Sequence, residues 1–144
     1  EFCGMLAIKA ALEARGEADK RRRVLVPASA HGTNPATAAA AGFIVDEIPA
    51  RDDGRVHLDD VKAKLGADVA AIMITNPNTC GLFEPEIKNI ADAVHEAGGY
   101  FYCDGANYNA IIGKVRRQFS AVSSAESTPD TRTAAGHNPP LTNV

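Results

Sequence analysis

Three polar residues, His31, Asn76 and Asp104, each follow a short apolar run, and they stand 45 and 28 residues apart along the chain. They offer an imidazole, a carboxamide and a carboxylate. A pyridine-ring cofactor needs groups of these kinds. A carboxylate facing the ring nitrogen keeps it protonated, so that the ring acts as an electron sink for a substrate carbanion. A neutral donor such as an amide suits the ring oxygen, and a flat side chain stacks on the ring face. Each residue alone has a plainer reading. Asp104 precedes Gly105 as turn formers do, Asn76 before Pro77 is an ordinary turn initiator, and His31 can hydrogen-bond loop backbone. The chemistry rests on the combination, and therefore on the elements that bring the three to one place.

Those elements alternate. Phe2, Met5, Ile8 and Leu12 recur at three and four residues and predict a helix ending near Gly16, with Glu17 to Arg23 as a charged loop. The run Lys20-Arg21-Arg22-Arg23 reads as solvated surface. Val24-Leu25-Val26 is a buried-type strand running into the His31 loop. Asn34 then reads as an N-cap and Pro35 as the first residue of a helix through Ala41, closed by Gly42. Phe43 to Ile48 predicts a strand, Asp52-Asp53-Gly54 a turn, and Asp59 to Leu65 a short helix with Val61 and Leu65 inward. Val69 to Ile74 is the clearest buried strand, and it runs into Thr75-Asn76-Pro77. Glu84-Pro85 opens a helix with Ile87, Ile90, Ala91 and Val94 on one face and Gly98 at its end. The aromatic run Tyr100 to Cys103 follows, a strand that stops at Asp104. Such alternation predicts an α/β fold, three layers deep, with a mostly parallel sheet and helices on both faces. In such a sheet ligands bind outside the carboxyl ends of the strands, where His31, Asn76 and Asp104 would share one edge.

Composition narrows the classes. The 144 residues suit about one domain. A net charge of −3 and a pI near 5.8 supply no basic field for nucleic acid, and no apolar run approaches the ~20 residues of a membrane span. Cys3, Cys80 and Cys103 are odd in number and widely spaced, which fits a reducing compartment rather than a disulfide framework or a zinc site. His57, His95 and His137 carry no assigned role. The opening EFCGMLAIKA reads as the interior of a longer chain, so an N-terminal truncation is expected.

The segments SAHGTNPATAAAAG, TNPNTCGLFE and DGANYNAIIG resemble the P protein family of the glycine cleavage system, glycine dehydrogenase (decarboxylating), over about residues 1–113. The resemblance implies the large domain of a fold-type I, aspartate-aminotransferase-like enzyme that uses pyridoxal 5′-phosphate. It implies decarboxylation of glycine and transfer of the aminomethyl group to the lipoyl arm of the H protein, within a homo- or hetero-oligomer. It also implies a location in bacterial cytoplasm or mitochondrial matrix. By the same resemblance Asp104 pairs with the pyridine nitrogen, Ala106 packs under the ring, Asn76 lies near the ring hydroxyl and His31 stacks on the ring.

The sequence also departs from that family. The family continues to an NLHKTF-like segment whose lysine attaches the cofactor covalently, whereas this chain runs from Val115 to Val144 as VRRQFSAVSSAESTPDTRTAAGHNPPLTNV. Residues 114–144 are expected to be a divergent, disordered tail from a truncated or frame-shifted gene. Lys114 lies too near Asp104 to replace the missing lysine and reads as a surface residue. The family's upstream phosphate loop is expected to be missing as well, and without the attaching lysine the chain alone is expected to be inactive. Three other readings stand beside this one. A dinucleotide-binding domain is disfavoured because no GxGxxG follows any strand. A non-catalytic interaction module and a fold-type I enzyme acting on another amino acid complete the set.

Overall fold

The computed structural model describes residues 1–113; Lys114 and the rest of the expected divergent tail lie outside the described residues. The alternation holds throughout. Helix α1 spans Phe2–Ala14, β1 Arg23–Pro27, α2 Thr33–Ala40, β2 Ile44–Ile48, α3 Leu58–Lys64, β3 Val69–Thr75, α4 Ile87–Glu96 and β4 Tyr100–Asp104, with a 3-10 turn at Tyr108–Ile111. The four strands form one sheet in the order β2-β1-β3-β4, every neighbouring pair parallel.

Parallel strands buried on both faces should be apolar along their length, and β3 is so up to its last residue, Thr75, with all of VAAIMIT buried. Two apolar clusters flank the sheet. Met5, Ile8 and Leu12 of α1 and Ala38 of α2 meet Val24, Val26, Ala71 and Met73 on one face. Val61 of α3 and Ile90 and Val94 of α4 meet Leu25, Ile72 and Ile74 on the other. Each fully buried Leu, Ile or Met contributes roughly 1.5–3 kcal/mol through removal from water. The period of two breaks once. Register slips between Arg23 and Val24, so that Arg23 pairs with Val69 but Val24 with Ala71. The extra residue, Ala70, therefore joins Ala71 in the α1–α2 cluster.

Several sequence expectations need correction. Phe2 is 47% exposed, because Gly4 rather than Phe2 meets the sheet. A Cβ on Gly4 would stand 2.5 Å from a ring carbon of Tyr102, so only glycine lets α1 lie this close to β4. The basic run is not simply solvated surface. Arg21 is buried and donates to Val69 O at 2.8 Å, while Arg23 bridges Asp46 and Asp68. Helix α4 begins at Ile87, after the Glu84-Pro85 pair expected to open it. Asn34 is not an N-cap either: Gly32 holds that position, and Asn34 lies within α2, fully buried.

Chain order supplies the switch. From β1 the chain moves outward through α2 to β2, then returns through α3 across β1 to β3 and continues through α4 to β4. The connections leaving β1 and β3 thus depart to opposite faces, α2 into one cluster and α4 into the other. Between the carboxyl ends of β1 and β3 a crevice must open, the place where open α/β sheets bind ligands.

Candidate functional site

The crevice lies between the loops after β1 and β3. Pro27, Ser29, Ala30, Thr75, Asn78 and Glu84 contribute to a small hollow there. His31, Asn76, Asp104 and Ala106 are not among the residues lining that hollow, which Asp104 approaches only through its neighbour Thr75. The two loops are tied directly, the Thr79 hydroxyl donating to Ser29 O.

Asp104 is the last residue of β4 and only 7% exposed. Its register partner is Thr75, the last residue of β3, so the two side chains share one face of the sheet. The Thr75 hydroxyl donates to Asp104 Oδ2 at 3.1 Å, and the Ala106 N–H donates to Oδ1 at 2.9 Å. Both carboxylate oxygens are therefore oriented while each keeps a second lone pair. Behind Thr75 stands Asn34, whose Nδ2 donates to Thr75 Oγ1 at 3.3 Å.

Asn76 follows β3 directly, through a cis bond to Pro77, and its N–H continues the ladder to Asp104 O at 3.3 Å. Its Oδ1 accepts the Glu84 N–H at 3.1 Å, so its Nδ2 is the end with protons to offer. Glu84 is fully buried and accepts from Val56 N–H at 3.1 Å and from Asn78 Nδ2 at 2.8 Å. Asn78 Oδ1 accepts from the N–H groups of Cys80 and Leu82, each at 3.0 Å. Asn107 Nδ2 closes the arrangement on the Pro77 and Asn78 carbonyls at 3.1 and 3.2 Å. The loop after β3 is thus held by side chains rather than by regular structure.

His31 stands exposed at the start of α2, where its Nδ1 accepts the Thr33 N–H at 3.2 Å and lies 2.9 Å from the Thr33 hydroxyl. That contact satisfies one of the donors a helix start leaves open. Ala106 is also exposed. The fold therefore brings Asn76 and Asp104 into direct contact and places His31 and Ala106 on the same edge, His31 engaged with Thr33. Sequence reasoning missed Thr75, Asn34, Asn78, Asn107 and Glu84. Only Thr75 carried a signal, a hydroxyl closing an otherwise apolar buried run. Among the described residues no group of His, Cys, Asp and Glu could hold a metal ion, and no helix is long and apolar enough to cross a membrane.

The family described as Aminotransferase class-V matches residues 3–113. The chain belongs to that family. Within it, this class-V chain is 63% identical over 116 residues to the probable glycine dehydrogenase (decarboxylating) subunit 2 of Caulobacter vibrioides, covering 81% of this chain and 22% of the relative. Against the protein of the same name from Aeropyrum pernix the identity is 57%, with the same coverage. The chain thus spans between a fifth and a quarter of the length of these curated relatives. Among solved structures it resembles an inhibitor-bound glycine decarboxylase, the P-protein of the glycine cleavage system. The TM-score there is 0.54 at 28% identity, over 69% of this chain and 21% of that one. Aspartate aminotransferase of Thermus thermophilus gives 0.59 at 18% identity, over 70% and 26%, a likeness of fold. The fold-type I architecture and the homology to glycine dehydrogenase expected from the sequence are both found.

Proposed function

We propose that this chain carries the pyridine side of a pyridoxal 5′-phosphate site belonging to a glycine dehydrogenase (decarboxylating). The reaction is decarboxylation of glycine with transfer of the aminomethyl group to the lipoyl arm of the H protein. One observation carries the reading: a nearly buried carboxylate, Asp104, is clamped through both oxygens at the carboxyl edge of the sheet beside the switch crevice. When bound, the cofactor supplies an electron sink for the carbanion left by loss of carbon dioxide.

The residues fit such a ring. Asp104 retains a lone pair on each oxygen to hold the proton on the ring nitrogen, a charge-assisted bond of roughly 1.5–3 kcal/mol. Ala106 adds only a methyl group beside it, leaving room for a flat ring. Asn76 Nδ2 supplies the neutral donor for the ring oxygen, and the exposed His31 supplies an imidazole face for stacking. None of the five lysines among the described residues, Lys9, Lys20, Lys62, Lys64 and Lys88, is assigned covalent attachment; Lys9, Lys64 and Lys88 are held by Ala41 O, Asp46 and Asp92. Glycine is favoured because curated relatives 53–63% identical to this chain are named probable glycine dehydrogenase (decarboxylating) subunit 2.

The test is a calorimetric titration of the full 144-residue chain with pyridoxamine 5′-phosphate, which lacks the aldehyde that labels surface lysines. One saturable site, emptied by pyridoxal 5′-phosphate and not by inorganic phosphate, is expected. No saturation at millimolar probe overturns the proposal.

A further inference from the structure

Asn34 lies in the first turn of α2 with no exposed surface, and its Oδ1 has no hydrogen-bond partner among the described residues. An acceptor buried without a donor is costly and is normally avoided. The same side chain spends its other end well, donating through Nδ2 to Thr75 Oγ1 at 3.3 Å, and Thr75 Oγ1 lies 3.1 Å from Asp104 Oδ2. Turning the Asn34 amide over would pair the orphaned oxygen with the Thr75 hydroxyl but move the Nδ2 protons to the unpartnered position, and Thr75 would then donate its single proton to Asn34. Asp104 would lose that proton.

We infer that Asn34 and Thr75 are positioning residues for Asp104: the amide of Asn34, able only to donate from Nδ2, forces the Thr75 hydroxyl to donate to the Asp104 carboxylate and so holds that carboxylate in one orientation. The direction follows from proton counting. A hydroxyl has one proton and a carboxylate only accepts, so with Asn34 Nδ2 facing Oγ1 the proton goes to Asp104. The charged acceptor gains more from it than the neutral amide oxygen would. With the Ala106 N–H on Oδ1, the Thr75 hydroxyl on Oδ2 prevents the carboxylate from rotating about its Cβ–Cγ bond. The unpaired Asn34 oxygen is the residue of that arrangement, a local cost tolerated at a functional site.

This inference rests on the proposed cofactor role, and its test separates the two. The full chain is titrated with pyridoxamine 5′-phosphate and with its analogue whose ring nitrogen is replaced by C–H. The ratio of the two affinities isolates the contact with the ring nitrogen; a merely structural role for Thr75 or Asn34 would weaken both ligands equally. The wild-type chain should prefer the nitrogen-bearing ring by about tenfold or more. Thr75→Val, of the same shape, should reduce that preference about fivefold, and Thr75→Ser should restore it. Asn34→Leu should reduce it about threefold while melting no lower than wild type, since the orphaned acceptor leaves with the amide. It serves as the deciding variant if the valine substitution prevents folding. Equal wild-type affinities, or no binding of either compound, refute the cofactor role and this inference with it. A wild-type preference that survives in both Thr75→Val and Asn34→Leu overturns the inference alone.

Discussion

Replacing Asp104 by Asn should separate the fold of this chain from its chemistry. The new amide keeps its oxygen on the Ala106 N–H, now 2.9 Å from Oδ1, and presents its NH2 to Thr75 Oγ1 in place of Oδ2 at 3.1 Å. The Thr75 hydroxyl must then accept, and its own proton needs a new acceptor. One is at hand: Asn34 can turn over and offer the oxygen that is unpaired in the native chain. Three hydrogen bonds remain, but the two that met the carboxylate become neutral and the turned Asn34 amide leaves its NH2 where its oxygen had no partner, so the stability loss should be about 1–2 kcal/mol. The ring nitrogen has no such repair. Loss of a charge-assisted bond worth roughly 1.5–3 kcal/mol should lower affinity for pyridoxamine 5′-phosphate about 10- to 100-fold. Calorimetry reads the affinity, and urea unfolding with an unchanged slope reads the stability. Affinity unchanged within about twofold would refute the assignment of Asp104 to the ring nitrogen. A stability loss above about 3 kcal/mol would refute the repair argument and make Asp104 chiefly a structural residue.

Two further predictions concern the frame. Glu84→Gln should destabilise the chain by about 1–3 kcal/mol, because Val56 N–H and Asn78 Nδ2 each face a carboxylate oxygen and a glutamine NH2 must oppose one of them. An unchanged urea midpoint would show that the loop after β3 does not depend on this carboxylate. Stability should also fall with acid in two steps. Burial against the sheet, where Phe101 packs edge-on, holds the His95 imidazole below its ordinary 6.5 despite the opposing pull of Asp92. The unfolded chain therefore takes up that proton first, and stability is full above about pH 6.5 and declines as pH drops through the lower folded value. Lys64, and then Arg23, hold the Asp46 carboxyl below its ordinary 3.8, so its contribution is present above 3.8 and lost as pH falls through its depressed value. Urea midpoints measured against pH should lose the upper step in His95→Gln, while in Asp46→Asn the lower step should shrink but not vanish, since hydrogen bonds from Arg55 N–H, Arg51 and Arg23 also hold Asp53, Asp60 and Asp68 below 3.8. An upper step that persists in His95→Gln, or a lower step unchanged in Asp46→Asn, refutes that assignment.

Legibility differed from element to element for physical reasons. Strand β3 could be read from the sequence because a strand covered on both faces leaves no polar position to confuse the pattern. Asp104 could be read because a carboxylate at the end of an aromatic run has few places to go but the sheet edge. Asn34 was misread because Asn before Pro carries the local signature of a helix start, and a local signature cannot register that Thr75 will arrive beside it from 41 residues away. Arg21 was misread for the same reason: a basic run looks solvated until the carbonyl of Val69, 48 residues on, receives its guanidinium. Phe2 has the right spacing for the core, yet Gly4 decides which face of α1 meets Tyr102.

The sequence by itself determined the alternation of helix and strand, the parallel sheet and the three residues whose chemistry suits a pyridine ring, since periodicity and side-chain type are properties of neighbouring positions. Only the tertiary structure decided the strand order β2-β1-β3-β4, which opens the crevice between β1 and β3. It alone decided the register that sets Thr75 against Asp104 and the seating of α2 that brings Asn34 to Thr75. Those are contacts between residues far apart in the chain, fixed by how two apolar faces close on one sheet. The orientation of the carboxylate depends on both: a residue type written in the sequence, and donors that packing delivers to it.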